Sequence, residues 1–265
     1  MNKRNLAFIF ALALLSATSY PTLLEARPDR LVNLADELKQ FKAPPPPPGR
    51  RPGGRRFGAA SRPADSSAQC PEVAVNLAAL VPETGVIGNT VKERPTFWFY
   101  IPYESKDIHS ARFVLLDEKE QYVQEPIEIS LPEKPGVIGI RLPSGSRSLE
   151  VGKTYDWRLT VFCDSEDRTV RASVYGSIQR VATDPSLTDA LKRSESQHVA
   201  YAENGIWYEA IGDLAEQLRA DPTNADLIAA WERLLGDVKL EQIANVRSIE
   251  YSVPTQRSQA LGISR

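Results

Sequence analysis

The stretch from Leu149 to Cys163 constrains the fold of this chain most strongly, because it has the pattern of a turn followed by a long core strand. Its alternate residues are apolar or aromatic and therefore share one face of an extended chain. These residues are Tyr155, Trp157, Leu159, Val161 and Cys163. The stretch predicts a β architecture and carries no chemistry of its own.

The turn before this strand favours one class of β fold. Leu149, a turn glycine at Gly152 and Tyr155 at the strand start resemble the tyrosine corner of immunoglobulin-like sandwiches, where a Tyr hydroxyl bonds to the backbone upstream. About seven short strands separated by Pro and Gly turns, without intervening helical patterns, agree with a sandwich. The predicted strands are Val73 to Val81, Thr96 to Ile101, Arg112 to Leu116, Tyr122 to Ile129, Val137 to Leu142, Tyr155 to Phe162 and Val170 to Val181.

The hydrophobic period changes to that of helices after Asp184. Asp184-Pro185 predicts an N-cap and a first-turn proline, opening a helix toward Tyr201. Two further helices and a last turn follow before residue 245, in a spacing that loosely resembles one tetratricopeptide unit. We therefore predict a mainly β protein, an immunoglobulin-like antiparallel β-sandwich over 70–182, followed by a small helical segment over 183–245. Residues 246–265 are predicted to be a disordered tail.

The first 69 residues have the composition of a leader and a linker. A basic start and an apolar run from Leu6 to Leu15 predict a signal peptide over 1–26, cleaved after Ser19 or Ala26. An uncleaved anchor is the alternative. Residues 27–69 contain five consecutive prolines and predict a largely disordered linker. Its arginines suggest either a solvated spacer or an arm that contacts anionic groups. The arm residues are Arg50, Arg51, Arg55 and Arg56.

The two cysteines agree with export. Cys163 lies on the core face of its predicted strand, and Cys70 lies just before the first one. In an oxidising compartment they predict a disulfide, with two free buried thiols as the alternative. The net charge of -2 gives no whole-chain case for a nucleic-acid partner. No further stretch is apolar enough to cross a membrane once the signal is removed.

One aromatic strand breaks the alternation of buried and exposed residues. If Phe97, Phe99 and Ile101 face the core, Trp98 and Tyr100 point outward. Such a pair is normally covered by another element, here the C-terminal helices or a loop. The functional alternative is a binding face of Trp98 and Tyr100 for a sugar or a protein.

The chain shows no arrangement that predicts catalysis. Its two histidines, His109 and His198, have no nucleophile in a recognisable motif, and no phosphate, dinucleotide or zinc-protease fingerprint is present. Asp164, Glu166 and Asp167 favour a solvated hairpin tip over a calcium site. We expect no enzyme, no cofactor and no metal; a hydrolase that uses paired carboxylates is the weakest alternative.

Several segments together resemble one known family. The segments are Leu80 to Pro82, Arg94 to Pro102, Leu149 to Tyr155, Trp157, Cys163-Asp164 and Gly205 to Ala210. With the Pro- and Arg-rich approach to Cys70, they are similar to the cyanobacterial secreted proteins of domain of unknown function 928. The similarity extends over about residues 44 to 245. It implies an envelope or extracellular protein of a cyanobacterium and brings no activity or site residues.

We therefore predict an exported, non-catalytic protein of the cell envelope that mediates protein–protein contacts. It would be periplasmic, envelope-associated or extracellular. A glycan- or cell-wall-binding module is the main alternative, and its binding residues would be the Trp98 and Tyr100 face with the arginine arm.

Overall fold

The computed structural model describes residues 41–44, 53–61, 70–83 and 87–252. The predicted signal peptide and the five-proline run lie wholly or largely outside these ranges, as do Arg50 and Arg51. Within them, ten strands and five α-helices are formed, with a short 3-10 turn at Ser105–Asp107. The strands are β1 Arg55–Ser61, β2 Ala78–Ala79, β3 Gly88–Thr90, β4 Thr96–Ile101, β5 Ser110–Leu116, β6 Ile127–Ile129, β7 Gly136–Arg141, β8 Thr154–Phe162, β9 Arg171–Arg180 and β10 Ile249–Tyr251.

The strands form one curled, mixed sheet. Nine of them follow the order β10-β7-β4-β2-β1-β9-β8-β5-β6. The tenth strand, β3, pairs with β9, which also pairs with β1. Most neighbours are antiparallel, but β3 runs parallel to β9 and β10 runs parallel to β7. The prediction of a purely antiparallel sandwich is therefore wrong in this respect. Both parallel pairings join segments that are distant in sequence, so the pattern within one segment does not predict them.

The sheet curls so that its two halves enclose the core. In the strand order, β4 and β5 are separated by four strands, yet the rings of Phe97 and Phe113 are 4.8 Å apart. Phe99 also meets Trp157 on β8, with ring centroids 5.5 Å apart. Tyr155 and Trp157 are buried, as the period-two pattern predicts. The core is thus built from alternate residues of the long strands.

The helices of the described chain follow β9 directly. They are α1 Pro185–Arg193, α2 Gln197–Glu203, α3 Trp207–Ala220, α4 Ala225–Asp237 and α5 Glu241–Ala244. Asp184 caps α1 by accepting from the Leu187 N–H at 2.7 Å, as its position before Pro185 predicts. The single helix predicted from Asp184 toward Tyr201 is two helices, because the chain leaves the helical path at Ser194. Within the described residues, no helix has the length and apolarity needed to cross a bilayer.

Two predicted boundaries are corrected by the strands at the ends of the described chain. β1 lies in the segment predicted to be a linker, and it joins the two halves of the sheet by pairing with both β2 and β9. β10 lies in the predicted disordered tail and extends the sheet beyond β7. β1 lacks an apolar alternation and β10 has only three residues, so neither strand is recognisable from its own sequence.

Candidate functional site

The two cysteines form the predicted disulfide. Cys70 and Cys163 are bonded, with their Cα atoms 5.1 Å apart and a separation of 93 positions in the sequence. The bond ties the segment before β2 to the end of β8. Because both sulfurs are joined and Cys70 is buried, neither residue is available as a nucleophile.

The aromatic strand does not offer a binding face. Trp98 is only 2% exposed, and Tyr100 is also buried. The Trp98 ring lies 5.4 Å from the ring of Tyr251 on β10. A Cβ atom placed on Gly212 of α3 would be 3.4 Å from the Trp98 indole nitrogen. The platform hypothesis for Trp98 and Tyr100 is therefore wrong, since a helix and an added strand cover this side of β4.

The arginine arm divides into residues with different environments. Arg55 is exposed on β1, and its guanidinium lies 5.9 Å from the ring of Tyr175. Arg56 is buried and donates to the backbone oxygens of Val238 and, at 3.1 Å, Lys239. These oxygens belong to the two residues directly after α4. Arg56 is therefore a structural cap for that helix and not part of an anion-contacting arm. Burial lowers the pKa of Arg56, with opposing effects from nearby carboxylates.

The tyrosine corner closes as its sequence predicts, and a cleft lies beside it. The Tyr155 hydroxyl accepts a hydrogen bond of 2.9 Å from the backbone N–H of Glu150. Gly152 has a φ of 82°, which permits the turn into β8. The cleft has a volume of about 270 Å³. It is lined by Asp117, Glu118, Lys119, Gln121, Arg147, Glu150, Lys153, Thr154 and Tyr155.

The charges in this cleft are arranged in pairs. Arg147 donates to Asp117 at 2.8 Å, and Lys153 lies 3.5 Å from Glu118. The pKa of Asp117 is lowered, first by the hydrogen bond from the Gln121 N–H and further by Arg147. A carboxylate that stays ionised in this way is a poor general acid. The arrangement therefore fits recognition through fixed charges better than proton transfer.

Two exposed apolar residues directly follow residues that line the cleft. Tyr122 is 57% exposed and follows the lining residue Gln121, and Val151 is 53% exposed and follows the lining residue Glu150. Backbone pairing between Leu116 and Tyr122 holds the first of these segments beside the end of β5. We call the cleft together with Tyr122 and Val151 the corner surface. Sequence reasoning identified the corner itself but not this surface, because the Asp117–Tyr122 loop has no motif.

The remaining polar candidates from the sequence have local structural roles. Asp164 accepts from the N–H groups of Glu166 and Asp167 at 2.7 and 2.8 Å, which closes the hairpin tip between β8 and β9. His198 is buried near Asp213, and His109 is exposed in the loop before β5. In the part of the chain that the structure describes, no group of three or more His, Cys, Asp or Glu side chains is placed to hold a metal ion.

Comparison with known families identifies the chain at the level of the family. The family model described as Domain of Unknown Function (DUF928) matches residues 57–248. The chain belongs to this family. The DUF928 match begins inside β1 and ends just before β10, so it includes the disulfide, the corner surface and the helices α1 to α5. No curated protein matches the chain.

Proposed function

We propose that this DUF928 protein is an exported, non-catalytic protein of a cyanobacterial cell envelope that binds another protein through the corner surface. The observation that carries the proposal is the exposure of Tyr122 and Val151 beside a cleft of fixed, paired charges. A protein interface typically has an aromatic or aliphatic anchor surrounded by a polar rim. The corner surface has both parts.

Export is supported by the basic and apolar start of the sequence and by the disulfide. Disulfides persist in the periplasm and outside the cell, whereas cytosolic thiols are kept reduced. We propose a signal peptide over 1–26, which falls outside the described residues. Periplasmic, envelope-associated and extracellular locations are all consistent with this proposal.

The curled sheet is, in our proposal, a modified immunoglobulin-like sandwich. Its support is the tyrosine corner formed by Tyr155 and Glu150 and the packing of Phe97 against Phe113 across the core. The parallel strands β3 and β10 are additions to that plan. In such folds, loops at the ends of the strands commonly carry the binding residues.

The proposal is tested by retention of native envelope proteins on the immobilised full chain. The variant Tyr122→Ala/Val151→Ala removes the two apolar anchors, and Lys192→Ala/Arg193→Ala changes two exposed residues of α1 as a control. We expect the wild type and the control to retain the same partner and the corner variant to lose it. Equal retention by all three proteins would contradict the proposal. Hydrolysis of an envelope polymer by the wild type would instead support the hydrolase alternative.

A further inference from the structure

The outward side of β1, β5, β8 and β9 has an unusual concentration of arginine. On β8, the inward Trp157, Leu159 and Val161 alternate with outward residues that include Arg158 and Phe162. On β9, the outward positions include Arg171 and Tyr175. We call this side the arginine–aromatic face. It consists of Arg55, Arg112, Arg158, Arg168, Arg171, Phe162 and Tyr175.

Strand register brings these residues together in rows. Arg158 on β8 lies opposite Tyr175 on β9, and Tyr175 lies opposite Arg55 on β1. In the next row, Arg112 on β5 lies opposite Thr160, and Thr160 lies opposite Ser173. Outward residues two positions apart on a strand are separated by roughly 7 Å, so the rows form a regular array of contact points.

Both rings on this face lie beneath guanidinium groups. Arg55 and Arg158 lie 5.9 and 5.4 Å from the Tyr175 ring centroid. Arg112 and Arg168 lie 5.8 and 5.1 Å from the Phe162 ring centroid. These distances are within the range of cation–π attraction. The rings therefore hold the arginine heads above the sheet, which reduces the entropy that the side chains lose when they bind a ligand.

The strands of this face present more arginines than carboxylates, although the chain carries a net charge of -2. Four of the arginines on this face lie on strands, where this side of β8 and of the neighbouring β6 carries two carboxylates that have partners, and Arg168 shares its loop with Asp164, Glu166 and Asp167. Glu128 pairs with Arg112 at 2.6 Å, and Asp156 accepts from the Ser177 hydroxyl at 2.6 Å. Arg55, Arg158 and Arg168 make no ion pair within the described residues. All three side chains are exposed, so an external anion can reach their guanidinium groups.

We propose that the arginine–aromatic face binds an acidic polysaccharide, a chain of sugar units that carry carboxylate groups. The planar guanidinium matches a carboxylate through two parallel hydrogen bonds. Between the two arginine clusters, the half-buried Ser173 hydroxyl donates to the buried Thr160 hydroxyl at 3.2 Å, so Ser173 is the neutral polar group that a sugar hydroxyl can reach.

Two other anionic macromolecules fit this face less well. Nucleic-acid binding without sequence preference uses aromatic rings on which bases stack, but guanidinium groups already lie over Tyr175 and Phe162. A protein interface normally has an apolar centre, whereas the hydroxyls of Thr160 and Ser173 lie at the centre of this face. The proposal is independent of the corner surface.

The test is isothermal titration of the full chain with alginate oligosaccharides, which are carboxylated, and with a neutral glucan of the same length. We expect alginate to bind, more weakly as salt is added, and the glucan not to bind. The variant Arg158→Ala/Arg168→Ala should weaken alginate binding by about tenfold or more, and Arg158→Lys/Arg168→Lys should restore only part of it. The two α1 substitutions Lys192→Ala/Arg193→Ala remove the same charge elsewhere and should leave the affinity within about twofold of wild type.

Several outcomes would overturn the proposal. These are an absence of alginate binding by the wild type, equal weakening in both alanine variants, and tighter binding of single-stranded DNA or poly-glutamate than of alginate. If Arg158→Ala/Arg168→Ala does not keep the wild-type melting curve, Arg168→Ala alone serves as the test, because Arg168 lies in the loop after β8. The corner variant Tyr122→Ala/Val151→Ala should bind alginate like the wild type, so failure here is distinguishable from failure of the proposed function.

Discussion

The Thr90 hydroxyl donates a hydrogen bond of 2.6 Å to Oε1 of Glu209, and both side chains are buried. The Val91 N–H donates to Oε2 of the same carboxyl at 3.2 Å. These bonds join β3 and the residue after it to the first turn of α3. Burial raises the pKa of Glu209, and the hydrogen bonds from Thr90 and Val91 oppose that rise. The link between the sheet and the helices therefore depends on a carboxyl group that is costly to ionise.

The stability of the protein should depend on the protonation of Glu209. Because its folded pKa is raised, the folded state holds the extra proton between the unfolded and the folded pKa values. Its contribution to stability is therefore full below the ordinary pKa of 4.5 and is lost as the pH rises through the folded pKa. Glu209→Gln removes this titration, so the free energy of unfolding of the variant should rise relative to wild type with increasing pH. Urea unfolding at a series of pH values measures the difference.

The control for this experiment is Glu195→Gln, which changes an exposed glutamate between α1 and α2. Its pH dependence should follow that of the wild type. Parallel curves for wild type and Glu209→Gln would show that the buried carboxyl does not titrate as described.

Substitution by alanine should lower the stability of the protein much more at Arg56 than at Arg55. Arg56→Ala leaves the backbone oxygens of Val238 and Lys239 without their charged donor, which should cost about 2 to 4 kcal/mol. Arg55 is exposed, so Arg55→Ala should change stability by less than about 0.5 kcal/mol. Denaturant unfolding of the two variants provides the comparison, and equal effects would refute the role of Arg56 as a helix cap.

The disulfide should contribute strongly to stability. A crosslink that closes a loop of 93 positions stabilises a fold by about 4 to 5 kcal/mol on the chain-entropy estimate. Reductant should therefore shift the urea midpoint of the wild type to lower concentration. The variant Cys70→Ala/Cys163→Ala should already have the lower midpoint and should not respond to reductant. A wild-type midpoint unaffected by reductant would contradict this account.

The strand between Trp98 and Tyr251 should not tolerate a side chain at Gly139. A Cβ atom there would lie 2.8 Å from the Trp98 ring and 3.0 Å from the Tyr251 ring. Gly139→Ala should therefore destabilise the protein by about 1 to 3 kcal/mol through overpacking. A Cβ atom added to Gly145 would meet no described heavy atom within 4 Å, so Gly145→Ala should be neutral or slightly stabilising. Thermal unfolding distinguishes the pair, and similar melting curves would show that the rings of Trp98 and Tyr251 do not pack against Gly139.

Local patterns predicted several strands well, although the predicted strand Val73 to Val81 is observed only at Ala78–Ala79. The predicted strand Tyr155 to Phe162 is observed as Thr154–Phe162, and Thr96 to Ile101 is observed with the same bounds. Period-two alternation and flanking turn residues are properties of the segment itself, so they are readable from one sequence. The disulfide was predicted for the same reason, since Cys163 continues the inward row of β8.

Contacts between distant segments could not be predicted. Arg56 meets Val238 across 182 positions, and nothing in the composition of β1 distinguishes it from the neighbouring arginine. The outward position of Trp98 and its coverage by a C-terminal helix agree with the sequence prediction, but its contact with Tyr251 depends on the parallel pairing of β10. The rows of the arginine–aromatic face likewise depend on the register among four strands. The sequence of one strand alone does not predict that register.

The most direct test of the central claim places a photo-crosslinking amino acid at position 122 of the full chain in native envelope. The control places it at position 192, an exposed site on α1. If the corner surface holds a protein partner, illumination should give one adduct of defined mass from position 122 and none from position 192. An absence of adducts from position 122, or the same adducts from both positions, would contradict the claim.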